Sequence, residues 1–262
     1  MKKILAVIFF SFLSLTVVNA ERISLGVSGN IGMLEASGKE TITGTSQRDN
    51  IGSQGTFTKQ AGTSTTSSTK GSDDIFIGYV ALFGELHMFD TGLRLGLSYV
   101  PYALESETTA NTRVDQCGHS GNGTGGDAGS TRTACSATKQ TVQVDVEDLT
   151  MLYAAYHHNL DLGFVDSVFI KAGVIDADVI TKEKLSSGSK YGNATLSGQF
   201  VGLGVEKNME NGLFVRVEGN VTQYQNIKLQ GTNEDTEDAN TNTINITNLD
   251  GATATLSIGK SF

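Results

Sequence analysis

Hydrophobic and polar residues alternate with period two through most of this chain. That is the spacing of strands and not of helices, because successive side chains of a strand point to opposite faces. From Arg22 to Met33, Ile23, Leu25, Val27, Ile31 and Met33 share one face, and Ser24, Gly26, Ser28 and Asn30 the other. A second segment, Ile75 to Leu86, is largely apolar on both faces. In the third, Leu93, Leu95, Leu97 and Tyr99 oppose Arg94, Gly96 and Ser98, with the sole proline, Pro101, near the far end. Thr141 to His158 is the fourth, and Val168, Ile170, Ala172 and Val174 against Phe169, Lys171 and Gly173 make the fifth. The sixth sets Val201, Leu203 and Val205 against Gly202, Gly204 and Glu206; the seventh sets Leu213, Val215, Val217 and Val221 against Phe214, Arg216, Glu218 and Asn220. The eighth runs from Ala252 to Phe262.

The connections divide into long and short ones. Polar stretches from about Glu35 to Asp73, with the low-complexity run Gly62 to Gly71, and from Glu105 to Lys139 are long; Lys182 to Asn193 and the acidic loop Glu234 to Asp238 are also extended. His87 to Thr91, Asn159 to Asp166 and Asn208 to Gly212 are short, the last ending in the hairpin signal Asn-Gly. An up-and-down meander with long loops at one end and short turns at the other is the pattern of transmembrane β-barrels. The polar faces fit a narrow interior, being mostly Gly, Ser, Thr and Asn with isolated charges. The expected fold is therefore all-β, an eight-stranded antiparallel barrel with long extracellular loops and short periplasmic turns.

Composition sharpens this picture. The 31 glycines suit a crowded lumen, and a single proline suits ladders that use every backbone donor. A net charge of −9 excludes nucleic acid as a partner, since phosphate binding requires clustered Lys and Arg. Residues 1–20 read as a cleaved signal peptide: Lys2 and Lys3, an apolar core from Ile4 to Leu13, and Val18-Asn19-Ala20 as a small-x-small cleavage site. Residues 21–262 then form one barrel domain. Export suits a disulfide between Cys117 and Cys135, which would staple a Gly/Ser/Thr-rich loop and contribute about 3 kcal/mol in the loop-entropy account. Two free thiols are the alternative; zinc is disfavoured because His119 is the only imidazole nearby.

Charges on the smaller faces are the candidate interior network: Arg94, Lys171 and Arg216 with Glu206 and Glu218, joined by Glu85 if the second segment turns that face inward. Unpaired buried charge is costly, so these groups must neutralise one another or sit solvated at the rims. Phe83, Phe89, Tyr99, Tyr102, Tyr153, Phe164 and Phe262 are candidates for interfacial aromatic girdles. Catalytic chemistry finds no support. His157 and His158 point to opposite faces and suit an interfacial polar role, and Gly121 to Gly126 lacks the Lys-Ser/Thr of a phosphate cradle. Asp176, Asp178 and the acidic loop lack the spacing of a calcium loop, so neither metal nor cofactor is expected.

The leader, the eight segments and the terminal ATLSIGKSF together resemble the small outer-membrane barrels of the outer membrane protein A, outer membrane protein X and opacity-protein type. That resemblance implies that Phe262, Ile258 and Leu256, with Ala254 and the atypical Lys260, form the signal read by the barrel assembly machinery. It also implies location in a Gram-negative outer membrane, contact with lipid and lipopolysaccharide, and a non-enzymatic role in envelope integrity and surface interaction through loops that meet an extracellular ligand. A small porin-like channel and a soluble periplasmic lipocalin-like binder are the alternative readings.

Overall fold

The structure, a computed structural model, describes residues 22–45, 48–51, 57–60, 64–88, 91–113, 138–160, 162–184, 189–233 and 241–262. The leader, Phe89, His119, both cysteines, Gly121 to Gly126 and the loop Glu234 to Asp238 lie outside the described residues. Eight strands make the wall: β1 (Ile23–Thr45), β2 (Ser64–Met88), β3 (Leu93–Tyr99), β4 (Thr138–Asn159), β5 (Ser167–Lys184), β6 (Ala194–Asn208), β7 (Leu213–Tyr224) and β8 (Thr241–Ser261). Each pairs antiparallel with its neighbour in sequence, and β1 also pairs with β8, from Ser24 opposite Ser261 to Thr43 opposite Thr241. The sheet is thus closed into an eight-stranded barrel. Among the described residues no helix is long and apolar enough to cross a membrane.

Alternation sorts the side chains as the pleat requires. Ile31, Ile170 and Leu203 are two-thirds or more exposed on the outside, in company with Val27, Met33, Val80, Leu82, Leu152, Val174, Val217 and Leu256. These residues form a continuous apolar band around the wall. The stretch from Leu25 to Met33, at about 3.3 Å per residue and a tilt of about 40°, covers roughly 20 Å along the axis. Polar residues bound it on both sides. The next outward position beyond the band is Glu35 on β1, Asp74 on β2, Asp176 on β5 and Asp250 on β8, whereas Lys207 and Lys260 flank the short-turn end.

The strands run further than the hydrophobic pattern does. β1 and β2 stay in register from Ile23 opposite Leu86 to Thr45 opposite Ser64, so most of the expected 35–73 connection is a paired ribbon. Ser, Thr and Gly dominate these stretches, so hydrophobic alternation does not report the pairing. Leu104–Glu105 and Thr109–Arg113 likewise pair with β4, and Ile227–Gly231 with β8. Positive φ at Asp148 (55°) and Asn248 (52°) marks two places where the wall leaves the band; at the first, the β4–β5 register shifts.

Four of the rings that fill the lumen lie over glycines directly opposite on a neighbouring strand. The pairs are Phe83 with Gly26, Tyr153 with Gly96, Phe169 with Gly204 and Phe214 with Gly259. A Cβ added at Gly26, Gly204 or Gly259 would sit 2.4 Å from a ring carbon, and one at Gly96 2.2 Å. Phe83 and Tyr153 are therefore interior residues, contrary to the girdle expectation; among the described members of that set, Tyr102, Phe164 and Phe262 are strongly exposed. Gly219 on β7 instead faces outward with open space around it. Gly204→Val is expected to destabilise the folded barrel by about 1–3 kcal/mol through overpacking, and Gly219→Val to leave it unchanged, as measured by urea titration of protein refolded into vesicles.

Candidate functional site in the barrel lumen

β2, β3, β6 and β7 each direct one charged side chain to a common point in the half of the lumen nearer the short turns. Arg216 holds Glu85 with two parallel bonds, Nη1 to Oε1 at 2.7 Å and Nη2 to Oε2 at 2.9 Å. It also donates to Glu206 Oε2 from Nη2 at 2.8 Å and from Nε at 3.2 Å. Arg94 grips both oxygens of Glu206 at 2.9 Å and lies 3.5 Å from Glu85. The Tyr153 hydroxyl donates to Glu85 Oε1 at 2.9 Å. Two guanidiniums thus meet two carboxylates with no net charge and every carboxylate oxygen engaged. Bidentate geometry of this kind is among the strongest available to a buried ion pair.

Aromatic rings wall in this cluster. The Arg216 guanidinium lies 5.0 Å from the Phe169 ring centre, 5.1 Å from Phe214 and 5.6 Å from Phe83, positions that favour cation–π attraction. These are three of the rings seated on glycines, so the space for them and the shielding of the charges have one origin. His157 is buried, stacked on Phe169 at 4.7 Å with its Nδ1 3.4 Å from the Ser167 hydroxyl. It belongs to the lumen and not to the interface expected for it. His158 is exposed on the outer face.

Lys171 and Glu218 form a second, separate ion pair, to which Asn220 Nδ2 adds a bond at 3.1 Å to Glu218. The Lys171 ammonium sits 4.7 Å from the Tyr153 ring centre and 5.6 Å from that of Phe200. Thr255 donates to Asn30 at 2.7 Å, and beyond that level the interior turns apolar, with Val100, Leu149, Ile175, Leu196, Ile227, Leu229 and Leu249 packed together. At the opposite mouth Ser24 is bonded to His87 and to Ser261, each at 2.7 Å. All five charged residues expected in the lumen face it, in two groups and not one network. Glu85 and Tyr153 complete the larger group. The signal for Tyr153 lay in its position opposite Gly96, which single-strand periodicity does not register.

The chemistry offered by this arrangement is closure. Among the described residues no three His, Cys, Asp or Glu side chains are grouped to hold a metal ion. The terminal strand ends with Phe262 N donating to Ile23 O at 2.8 Å, and the Phe262 ring is exposed with Lys260 against it, 5.2 Å from its centre.

No family model and no curated protein matches the sequence. Among solved structures, Ail, the attachment invasion locus protein of Yersinia pestis in complex with the heparin analogue sucrose octasulfate, aligns over 89% of this chain and 99% of its own, at 8% identity and TM-score 0.31. The outer membrane protease OmpT from Escherichia coli covers 90% and 97% at 12% identity and TM-score 0.33. The translocator domain of the autotransporter NalP from Neisseria meningitidis covers 100% and 96% at 11% identity and TM-score 0.31. The barrel described above rests on its own strand pairing.

Arg216→Met leaves two buried carboxylates underpaired and is expected to cost about 3–5 kcal/mol in the same refolding titration. Outside the band, Lys207 donates to Asp166 Oδ1 at 2.8 Å and the Asn208 amide to Oδ2 at 2.6 Å, tying the β4–β5 turn to the end of β6. The Lys207 bond first and the amide second hold the Asp166 carboxyl below the ordinary aspartate value. A carboxyl depressed on folding favours the ordered turn above its unfolded value and loses that contribution as pH falls through the folded one. NMR titration is expected to show an Asp166 midpoint that rises in Lys207→Met.

Proposed function

We propose that this chain is a non-enzymatic protein of a Gram-negative outer membrane, exported through a cleaved leader, with a sealed lumen and a wall that continues beyond the lipid into the surroundings. The observation that carries this reading is the conjunction of an apolar exterior band with an ion-paired, aromatic-lined interior. In a soluble barrel the apolar residues would face inward and the charges outward; here Ile31 and Leu203 face out while Arg216 and Glu206 are buried. A band of this height bounded by charged residues matches the hydrocarbon layer in contact with a spanning barrel.

Lipid and lipopolysaccharide are then the partners of the band, and Phe262, Ile258 and Leu256, exposed on the outer face of β8, are available to the barrel assembly machinery. The paired extension of β1, β2, β4, β5 and β8 past the acidic row carries the surface that meets an extracellular ligand and contributes to envelope integrity. The channel reading is weaker because opening a path along the axis would break the Arg216, Glu85 and Glu206 contacts. A lumen of eight strands is about filled by side chains.

Fractionation with outer membranes and a fast-migrating band in detergent that converts on boiling are the expected results. In planar bilayers the wild-type protein is expected to give no stable channel steps. Stable conductance would favour the channel, and recovery in the soluble fraction would favour the periplasmic binder.

A further inference from the structure

Strand register aligns three lysines in one row across the outer face. Lys39 on β1 lies directly opposite Lys70 on β2 and opposite Asn245 on β8, and Asn245 in turn faces Lys228 on the strand Ile227–Gly231. Residues directly opposite in an antiparallel pair project from the same face. That face is the outer one: Ile227 and Leu229, on either side of Lys228, are buried in the apolar interior, and Ile244 and Ile246, on either side of Asn245, pack against it. Lys39, Lys70 and Lys228 are exposed. With neighbouring strands about 4.8 Å apart, the row spans about 14 Å.

Among the described residues nothing neutralises these cations. None of the three takes part in an ion pair or hydrogen bond, whereas Lys182 and Lys207 elsewhere on the outside hold Asp145 and Asp166. Glu40 follows Lys39 in sequence but points to the opposite face, where it receives the Tyr191 hydroxyl at 2.8 Å. Hydroxyls flank the row instead: Ser72, Ser37 and Thr247 are aligned on the side nearer the band, and Ser68, Thr41 and Thr243 on the side away from it. Like charges directly opposite one another are destabilising. Their alignment in a chain of net charge −9 points to an anion supplied from outside.

We propose that Lys39, Lys70, Asn245 and Lys228 form a binding site for the phosphate groups of a phosphorylated saccharide, the sugar portion of lipopolysaccharide. Lys39 lies four residues beyond Glu35 of the acidic row. At about 3.3 Å per residue and a tilt of about 40° this is roughly 10 Å further from the hydrocarbon, at the height of sugars and not of acyl chains. Lys39 and Lys70 side by side take one phosphate, Lys228 across Asn245 takes a second about 10 Å away, and the flanking hydroxyls bond the sugar. The site deepens the lipopolysaccharide contact proposed above and rests on that reading only for the source of its ligand. A water-soluble saccharide and detergent-folded protein therefore test it separately from the membrane assignment.

The experiment titrates the detergent-folded protein with deacylated lipopolysaccharide, with the same saccharide stripped of phosphate, and with inorganic phosphate alone, read by NMR of the lysine side chains and by urea unfolding. The phosphorylated saccharide is expected to shift the Lys39, Lys70 and Lys228 signals, and both the stripped saccharide and inorganic phosphate to bind about tenfold or more weakly. Lys39→Gln is expected to lower affinity for the phosphorylated saccharide about tenfold, and Lys39→Arg to keep it. Without saccharide, Lys39→Gln is expected to be at least as stable as the wild type, because it removes a like-charge contact; with saccharide, the wild type is expected to gain more stability than the variant. Equal binding of the stripped saccharide, unchanged binding in the triple variant Lys39→Gln, Lys70→Gln, Lys228→Gln, or destabilisation of Lys39→Gln without ligand would overturn the proposal. Inorganic phosphate binding as tightly as the saccharide would overturn it in favour of a site for the free ion.

Discussion

Closure of the sheet is the constraint from which the rest of this molecule follows. A wall whose outside is apolar offers no water to an unpaired backbone group, so its strands must bond on both sides, and β1 does so by lying between β2 and β8. With eight strands the cylinder is narrow, and every second residue is forced into it. The sequence can meet that demand only by making most inward positions small and the remainder mutually complementary. Scarcity of proline, abundance of glycine and neutrality of the buried charges are three expressions of one geometric limit.

Complementarity takes two forms. Rings occupy the width of the lumen because glycines opposite them make room, and the rings in turn exclude water from the guanidinium of Arg216. Excluding water makes unpaired charge expensive, which is why Glu85, Glu206 and Arg94 converge on the same level. Buried ion pairs of this sort rarely stabilise a fold beyond what apolar side chains of equal volume would. Their contribution is positional: each bidentate contact links strands distant in sequence and fixes the angular register of the barrel.

Alternation made the wall legible in the sequence. The eight segments, their order and the inward direction of Arg94, Lys171, Glu206, Arg216 and Glu218 follow from a period of two and a preference for small residues opposite. Contacts across the lumen were not legible, because nothing along a single strand tells Arg216 that Glu85, and not Glu218, is its partner. Tyr153 and Phe83 depart from the girdle expectation for a related reason: an aromatic on an apolar segment looks interfacial until the glycine facing it on the next strand is known. Nor did the polar continuations of β1 and β2 announce themselves, since stretches made mostly of Ser, Thr, Gly and Lys carry no hydrophobic alternation.

The ring-on-glycine pairs also bear on how such a chain can change over generations. Enlarging the glycine alone collides with the ring, and shrinking the ring alone opens a hole beside a buried guanidinium. The viable path exchanges the two sizes together, across the strand boundary. Among diverged homologues, residues 26 and 83, 96 and 153, 169 and 204, and 214 and 259 should therefore vary as couples, preserving summed volume while overall identity decays.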